Sequence, residues 1–182
     1  MTCVIVFAEA QDKGFFDKLV EMAGGHIPLI HVWKGEVCAG EGCAAMIIAD
    51  HESFKRIRLE PRIIVFGGKK HCDISRLAAE NTIVIANSCD YEQIEYISKT
   101  KLPAITCGLF AKDTITLSSI ERDSAVINLQ RSVTCFNGET AEPQEIPVRF
   151  ERPVDSYLLM AYAAILILTG NADRLIDSIL KI

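Results

Sequence analysis

Five near-continuous apolar runs punctuate the first 108 residues: CVIV (Cys3 to Val6), AAMIIAD (Ala44 to Asp50), RIIVFGG (Arg62 to Gly68), TIVIANS (Thr82 to Ser88) and PAITCG (Pro103 to Gly108). A strand that alternates apolar and polar residues has one wet face, whereas an uninterrupted run belongs to a strand covered on both faces. The stretches between them, HESFKRIR, HCDISRLAAE and YEQIEYISKT, are polar enough for surface helices. Phe15, Phe16, Leu19, Val20 and Met22 recur at helical spacing before Gly24 and Gly25. This β-α-β-α alternation predicts an α/β fold with a mainly parallel, doubly wound sheet and right-handed crossovers.

After Asp113 the period changes. TITLSSIE, SAVINLQ and SVTCFN alternate, with turn-like ERDS and NGET near their ends, and so predict a C-terminal antiparallel β meander. The chain then passes EPQEIPVRFERP and closes with two expected helices, Asp155 to Thr169 and Ala172 to Lys181. Gly170 is placed to stop the first of these and Asn171 to cap the second. At 182 residues, with no linker or repeat, the expectation is a single domain over 1–182.

Charge and composition narrow the partners. A net charge of −5 argues against nucleic acid, whose phosphates are met by Lys and Arg. The most apolar segment, YLLMAYAAILIL (Tyr157 to Leu168), is shorter than the ~20 residues that span a bilayer, so a buried helix is expected and no membrane partner. Seven cysteines, an odd number without a leader-like segment, point to reduced thiols in a cytoplasm.

The loop after the first run decides what chemistry is available. FAEAQDKGFF (Phe7 to Phe16) joins a buried strand to an amphipathic helix, the place where α/β proteins hold phosphate. Such a loop needs glycines that turn its N–H groups inward, and a lysine followed by a hydroxyl. Here Glu9 and Asp12 stand where a polyanion would sit, and Lys13 is followed by Gly14 and Phe15. Two such carboxylates add repulsion of about 1 kcal/mol per close pair even at high effective dielectric. Ligands of α/β sheets bind at the carboxyl ends of the strands. Glu9, Gln11, Asp12 and Lys13 after the first strand, with Asn87 and Asp90 after TIVIAN, are therefore the candidate ligand pocket.

In their order, IANSCD, ITCGLF and AYAAILILTGN resemble three points of the central ATP-binding domain of the Mur ligase family. There an Asn-x-Asp-Asp-like turn, a Thr-x-Gly-Leu-like motif and an Ala-rich helix ending in Leu-Gly follow one another, with meander strands before the last. The resemblance covers essentially the whole chain and is firmest from Thr82 onward. It implies an ATP-dependent ligase fold, but the departures are specific. The Gly-Thr-Asn-Gly-Lys-Thr-like phosphate loop is replaced by AEAQDKGF, and Tyr157 and Met160 stand where asparagines approach adenine. The family's Asp-His-Leu-Asp stretch aligns with KHCD (Lys70 to Asp73), and the acid of its Glu-x-Ser-Ser-Phe-like motif aligns with Asp50. A helix carrying a modified lysine does not fit between Asp73 and Thr82, and separate substrate-binding and C-terminal domains are expected to be absent.

Three function classes follow. The first is a non-catalytic relative acting as a binding or regulatory module, whose partner is a small metabolite, a protein or a second copy in a homo-oligomer. The second is an ATP-dependent amide-bond ligase subunit completed by another chain. The third is a thiol or metal sensor built on CAGEGC, where Cys38 and Cys43 flank two glycines, against the alternative of cysteines packed as small apolar residues. No cofactor is expected. A divalent cation is the ion that Asp50, His71 and Asp73 could hold, with His51 and Glu52 nearby, unless these are ordinary loop residues beside water. Cys89 and His71 lack an evident orienting third residue for a nucleophile pair.

Overall fold

The computed structural model describes residues 1–8, 12–40, 45–53, 58–68, 74, 80–176 and 179–180. Glu9, Gln11, Cys43, His71 and Asp73 lie outside the described residues. The expected helix HCDISRLAAE also falls largely there, as does half of HESFKRIR, whose described residues His51 to Ser53 form a turn rather than a helix.

The apolar runs form the centre of one sheet. β1 (Thr2–Phe7) pairs in parallel with β4 (Met46–Asp50) on one side and β5 (Arg62–Phe66) on the other. Outward from β5 come β6 (Thr82–Asn87), β7 (Ala104–Cys107) and β8 (Ile115–Ile120), each parallel to its neighbour. Burial on both faces, as in β5 where all five residues are buried, matches the unbroken runs. On one face, helix α1 (Lys13–Gly24) and the closing helix α3 (Ser156–Leu168) pack over a core that includes Val4, Val6, Ile63, Ile85 and Ile127. On the other face, Cys3, Ile5, Phe66 and Val84 meet Tyr96 and Ile97 of α2 (Tyr91–Thr100). The sheet is thus doubly wound, as expected.

Its two flanks depart from the expectation. Beyond β4 a hairpin of β2 (Leu29–Trp33) and β3 (Glu36–Ala39) extends the sheet, with β2 parallel to β4 and β3 antiparallel at the edge. Lys34 and Gly35 both have positive φ, 48° and 84°, as a two-residue type I′ hairpin requires. The glycine-rich connection expected around CAGEGC therefore starts from an edge strand that carries Cys38.

At the far flank, β8 and β9 (Ser124–Leu129) form the antiparallel pair read from the alternation. SVTCFN does not continue it. Its residues form β10 (Val133–Thr134), which pairs only with β11 (Thr140–Ala141) in a separate ribbon. The third antiparallel strand is β12 (Gln144–Phe150), whose apolar Ile146, Val148 and Phe150 alternate with exposed residues. The second closing helix is likewise replaced by a 3-10 turn, Ala172–Leu175, and then β13 (Ile179–Leu180), parallel to β12. Gly170 does adopt the left-handed conformation, φ 69°, after α3. Asn171 makes no capping bond, and its side-chain amide donates back to Thr169.

Helix α3 is apolar all round because it is covered all round. Every residue from Leu158 to Leu168 is buried, between the sheet, α1, the ribbon and the 3-10 turn. No helix among the described residues is long and apolar enough to cross a membrane.

Candidate functional site

The carboxyl ends of β5 and β6 open into a crevice of about 600 Å³, within the range of small-molecule sites. It lies where α/β sheets bind ligands, and three helices point their N-termini at it. Its floor is Phe66, Gly67 and Gly68 at the end of β5. A Cβ on Gly67 would stand 2.8 Å from the Phe15 ring, and one on Gly68 would collide with the Asp12 carboxylate. These two glycines let the start of α1 rest directly on the end of β5, so the space between them is closed by side chains of α1.

Asn87 and Asp90, read from sequence as pocket residues, both line the crevice. Asp90 caps α2: its Oδ1 accepts the Glu92 and Gln93 N–H groups at 3.1 and 3.2 Å. Gln93, only 4% exposed, is not singled out by the sequence and organises the floor. Its Oε1 accepts the Asn87 N–H at 2.9 Å, and its Nε2 donates to Gly68 O and to Asp90 Oδ2, each at 3.2 Å. Only its position one turn past an Asp N-cap could have flagged it.

The opposite wall belongs to α3. Asp155 caps this helix through Oδ1 and the Leu158 N–H at 2.9 Å. Tyr157 stacks on Phe15 with ring centroids 5.7 Å apart and donates its hydroxyl to Ile85 O at 3.3 Å. Burial, with the Cys107, Asp155 and Asp90 charges adding to it, pushes the Tyr157 phenol well above its ordinary value, so it is a neutral wall. Met160, aligned in sequence beside it, is buried in the core.

Asp12 occupies the N-cap position of α1 but makes no capping hydrogen bond. Its neighbour Lys13 turns elsewhere: Nζ contacts both Asp17 oxygens, at 2.5 and 2.6 Å, and lies 5.7 Å from the Trp33 ring. Of the sequence-read loop residues that are described, Asp12 reaches the crevice floor and Lys13 does not. Asp12, Asp90 and Asp155 therefore stand at the positive ends of three helices, where a helix macrodipole favours negative charge. The described lining carries Asp90, Glu92 and Asp155 and no Lys, Arg or His.

Asp50 does not line this crevice. It is buried, and its Oδ2 accepts the Lys34 N–H while Oδ1 accepts the Ser53 N–H, both at 2.6 Å. The carboxylate ties the β2–β3 turn to the end of β4. His51 beside it stacks on Phe7 at 4.6 Å. Among the described residues, no three His, Cys, Asp or Glu side chains group as a metal ion would require.

Cys38 faces a second, mostly apolar crevice of about 450 Å³ with His26 and His31, its cross-strand partner. Cys38 and Cys89 are exposed thiols. Cys3 is buried, and desolvation pushes its thiol up to about 11 against the opposing pull of Arg62. Burial likewise raises the Cys107 thiol, with Asp113 adding to the effect.

No protein-family model matches the chain, and no curated protein gives a significant sequence match. Solved structures do. A MurF ligase from Thermotoga maritima in complex with ADP aligns with a TM-score of 0.54 at 10% identity, over 97% of this chain and 48% of the ligase. MurF from Acinetobacter baumannii aligns at 0.57 and 8% identity, and a murein peptide ligase from Psychrobacter arcticus at 0.57 and 9%, each over 97% of this chain and 46% of theirs. Likeness at such identity is a statement of architecture. The chain spans less than half the length of these ligases, and its α/β fold, with a mainly parallel sheet and antiparallel C-terminal strands, resembles the Mur ligase central domain.

Proposed function

We propose that this chain is a binding or regulatory module on a Mur ligase-like fold, acting in the cytoplasm without nucleotide chemistry. The observation that carries the reading is the placement of Asp12, Asp90 and Asp155 at the three helix N-termini around the crevice. A triphosphate relies on free N–H groups at a helix N-terminus and on a cation acting with them. Here the Glu92, Gln93 and Leu158 N–H groups are already bonded to carboxylates, and the Lys13 ammonium is held by Asp17. The Thermotoga ligase of the same fold was solved with ADP. In this chain the described lining meets an anion with three negative charges. The odd cysteine count supports a reducing compartment.

Calorimetric titration with Mg-ATP and Mg-ADP is the test. The expected outcome is no binding heat. Saturable micromolar binding of either nucleotide would overturn the reading and favour a ligase subunit completed by another chain.

A further inference from the structure

We infer that β3 pairs antiparallel with the β3 of a second copy of this chain, joining two sheets edge to edge about a two-fold axis. The sheet has two edges among the described residues, β13 and β3. β13 is blunted by its length of two residues. β3 runs over Glu36–Ala39 with no proline and an unbroken register against β2. All four of its residues are exposed, Val37 to 66%, and Glu36 is the one charge among them. Soluble proteins ordinarily guard such an edge with lysine, proline or a bulge, because its outward N–H and C=O groups recruit another strand.

The hydrogen-bond phase of the hairpin fixes how two such edges fit. In a two-residue hairpin the residues flanking the turn, here Trp33 and Glu36, exchange both backbone bonds, and bonded and non-bonded pairs alternate from there. The Gly40 N–H, which donates to Leu29 O at 3.1 Å, keeps that phase. Glu36, Cys38 and Gly40 therefore turn their backbone groups toward β2, and Val37 and Ala39 turn theirs outward. A two-fold axis centred on Cys38 sets Val37 against Ala39 of the second copy and Ala39 against its Val37. Four hydrogen bonds then use every outward group of both strands. An axis on Val37 would instead oppose Ala39 to Gly35, whose N–H already donates to Ser53 Oγ at 3.2 Å, and one on Ala39 would carry Val37 past the end of the strand. The chosen register is also complementary in its side chains. Val37 and Ala39 of both copies gather on one face, and on the other the mostly apolar crevice lined by Cys38 and His31 meets its own copy across the axis. Glu36 faces Gly40 of the second copy, so no like charges stand opposite.

This pairing has a specific signature. Cys38 meets Cys38 of the second copy at a non-hydrogen-bonded position, where Cα atoms stand about 4.5 Å apart, inside the roughly 4.4–6.8 Å that a disulfide spans. The seam is short and belongs with weak, reversible interfaces, so association is micromolar. The test is sedimentation equilibrium of the full chain in reductant, from low micromolar to millimolar concentration, and the expected result is a monomer–dimer equilibrium. Val37→Lys keeps every backbone group and places a charge on the seam; its dissociation constant should rise about ten-fold or more with its thermal midpoint preserved. Val37→Pro removes an outward N–H that serves no bond within one copy and should leave a monomer. In a Cys43→Ser background, which removes the neighbouring thiol as a competitor, diamide takes two thiols to one disulfide and is itself reduced to the hydrazine. Mass spectrometry should then find the Cys38–Cys38 peptide pair, and Cys38→Ser should dimerise without it. A monomer at every concentration, a dimer that both Val37 variants leave intact, or a disulfide-linked dimer without the Cys38 pair overturns the inference.

Discussion

Asp50 is 2% exposed at the end of β4, and both of its oxygens are engaged by backbone N–H groups, one from Lys34 and one from Ser53. From sequence it reads as a metal ligand or a loop acid, because acids at a strand's carboxyl end are often either. The partner that decides its role comes from a hairpin turn 16 residues earlier, and no local pattern pairs the two. Charge-assisted bonds of this kind contribute more than neutral ones, and a lost acceptor leaves donors unsatisfied. Asp50→Ala should lower stability by about 3 kcal/mol, read from the denaturant midpoint. Asp50→Asn keeps one good acceptor and should lose about half as much. A shift in Asp50→Ala within the scatter of a surface substitution would mean that the hairpin does not depend on this carboxylate.

Helices and strands were legible where a local period reflects a local cause. Buried runs became β1, β4, β5, β6 and β7, and the amphipathic spacing of Phe16, Leu19 and Met22 became the inward face of α1. Caps are equally local. Asp90→Ala removes an acceptor from two N–H groups and should cost about 1 kcal/mol, whereas Asp90→Asn should cost only a few tenths. Thermal midpoints of the two variants measure the difference, and equal midpoints would contradict the capping role. The C-terminal segment shows where local reading fails. Leu175, Ile176, Ile179 and Leu180 repeat at helical spacing, yet Ile179 and Leu180 lie beside Arg149 and Phe150 as an edge strand. The unpaired backbone edge of β12 offers hydrogen bonds that outweigh a short helix's weak propensity. Such an edge exists only once the sheet has formed.

Across the molecule, the closing helix and the turn after it bind the chain's end to its beginning. Tyr162 of α3 donates to Met22 O at 3.1 Å, and Arg174 of the 3-10 turn donates to His26 O. The His26 ring lies 6.3 Å from that of Tyr162. Burial first, and the Arg174 charge second, lower the His26 pKa below its ordinary 6.5. The unfolded chain then binds this proton before the folded one does, so stability falls as pH drops through about 6.5 and the loss is complete below the folded value. Stability measured against pH should show this acid-side decline, and His26→Asn should flatten it. An unchanged profile in that variant would assign the decline to other groups.

Composition and periodicity settled the class of fold and which segments form its central strands, because burial on both faces requires unbroken apolar runs wherever they occur. They also placed acids at the strand ends, since Asp12, Asp90 and Asp155 sit beside recognisable helix starts. Tertiary structure alone decided that Asp90 and Asp155 line one crevice with Asp12 against its floor at Gly68, that Gln93 and Tyr157 complete it, and that Asp50 serves a hairpin instead. Each of those outcomes depends on segments distant in the chain meeting at a sheet edge, and sequence spacing carries no information about which segments meet.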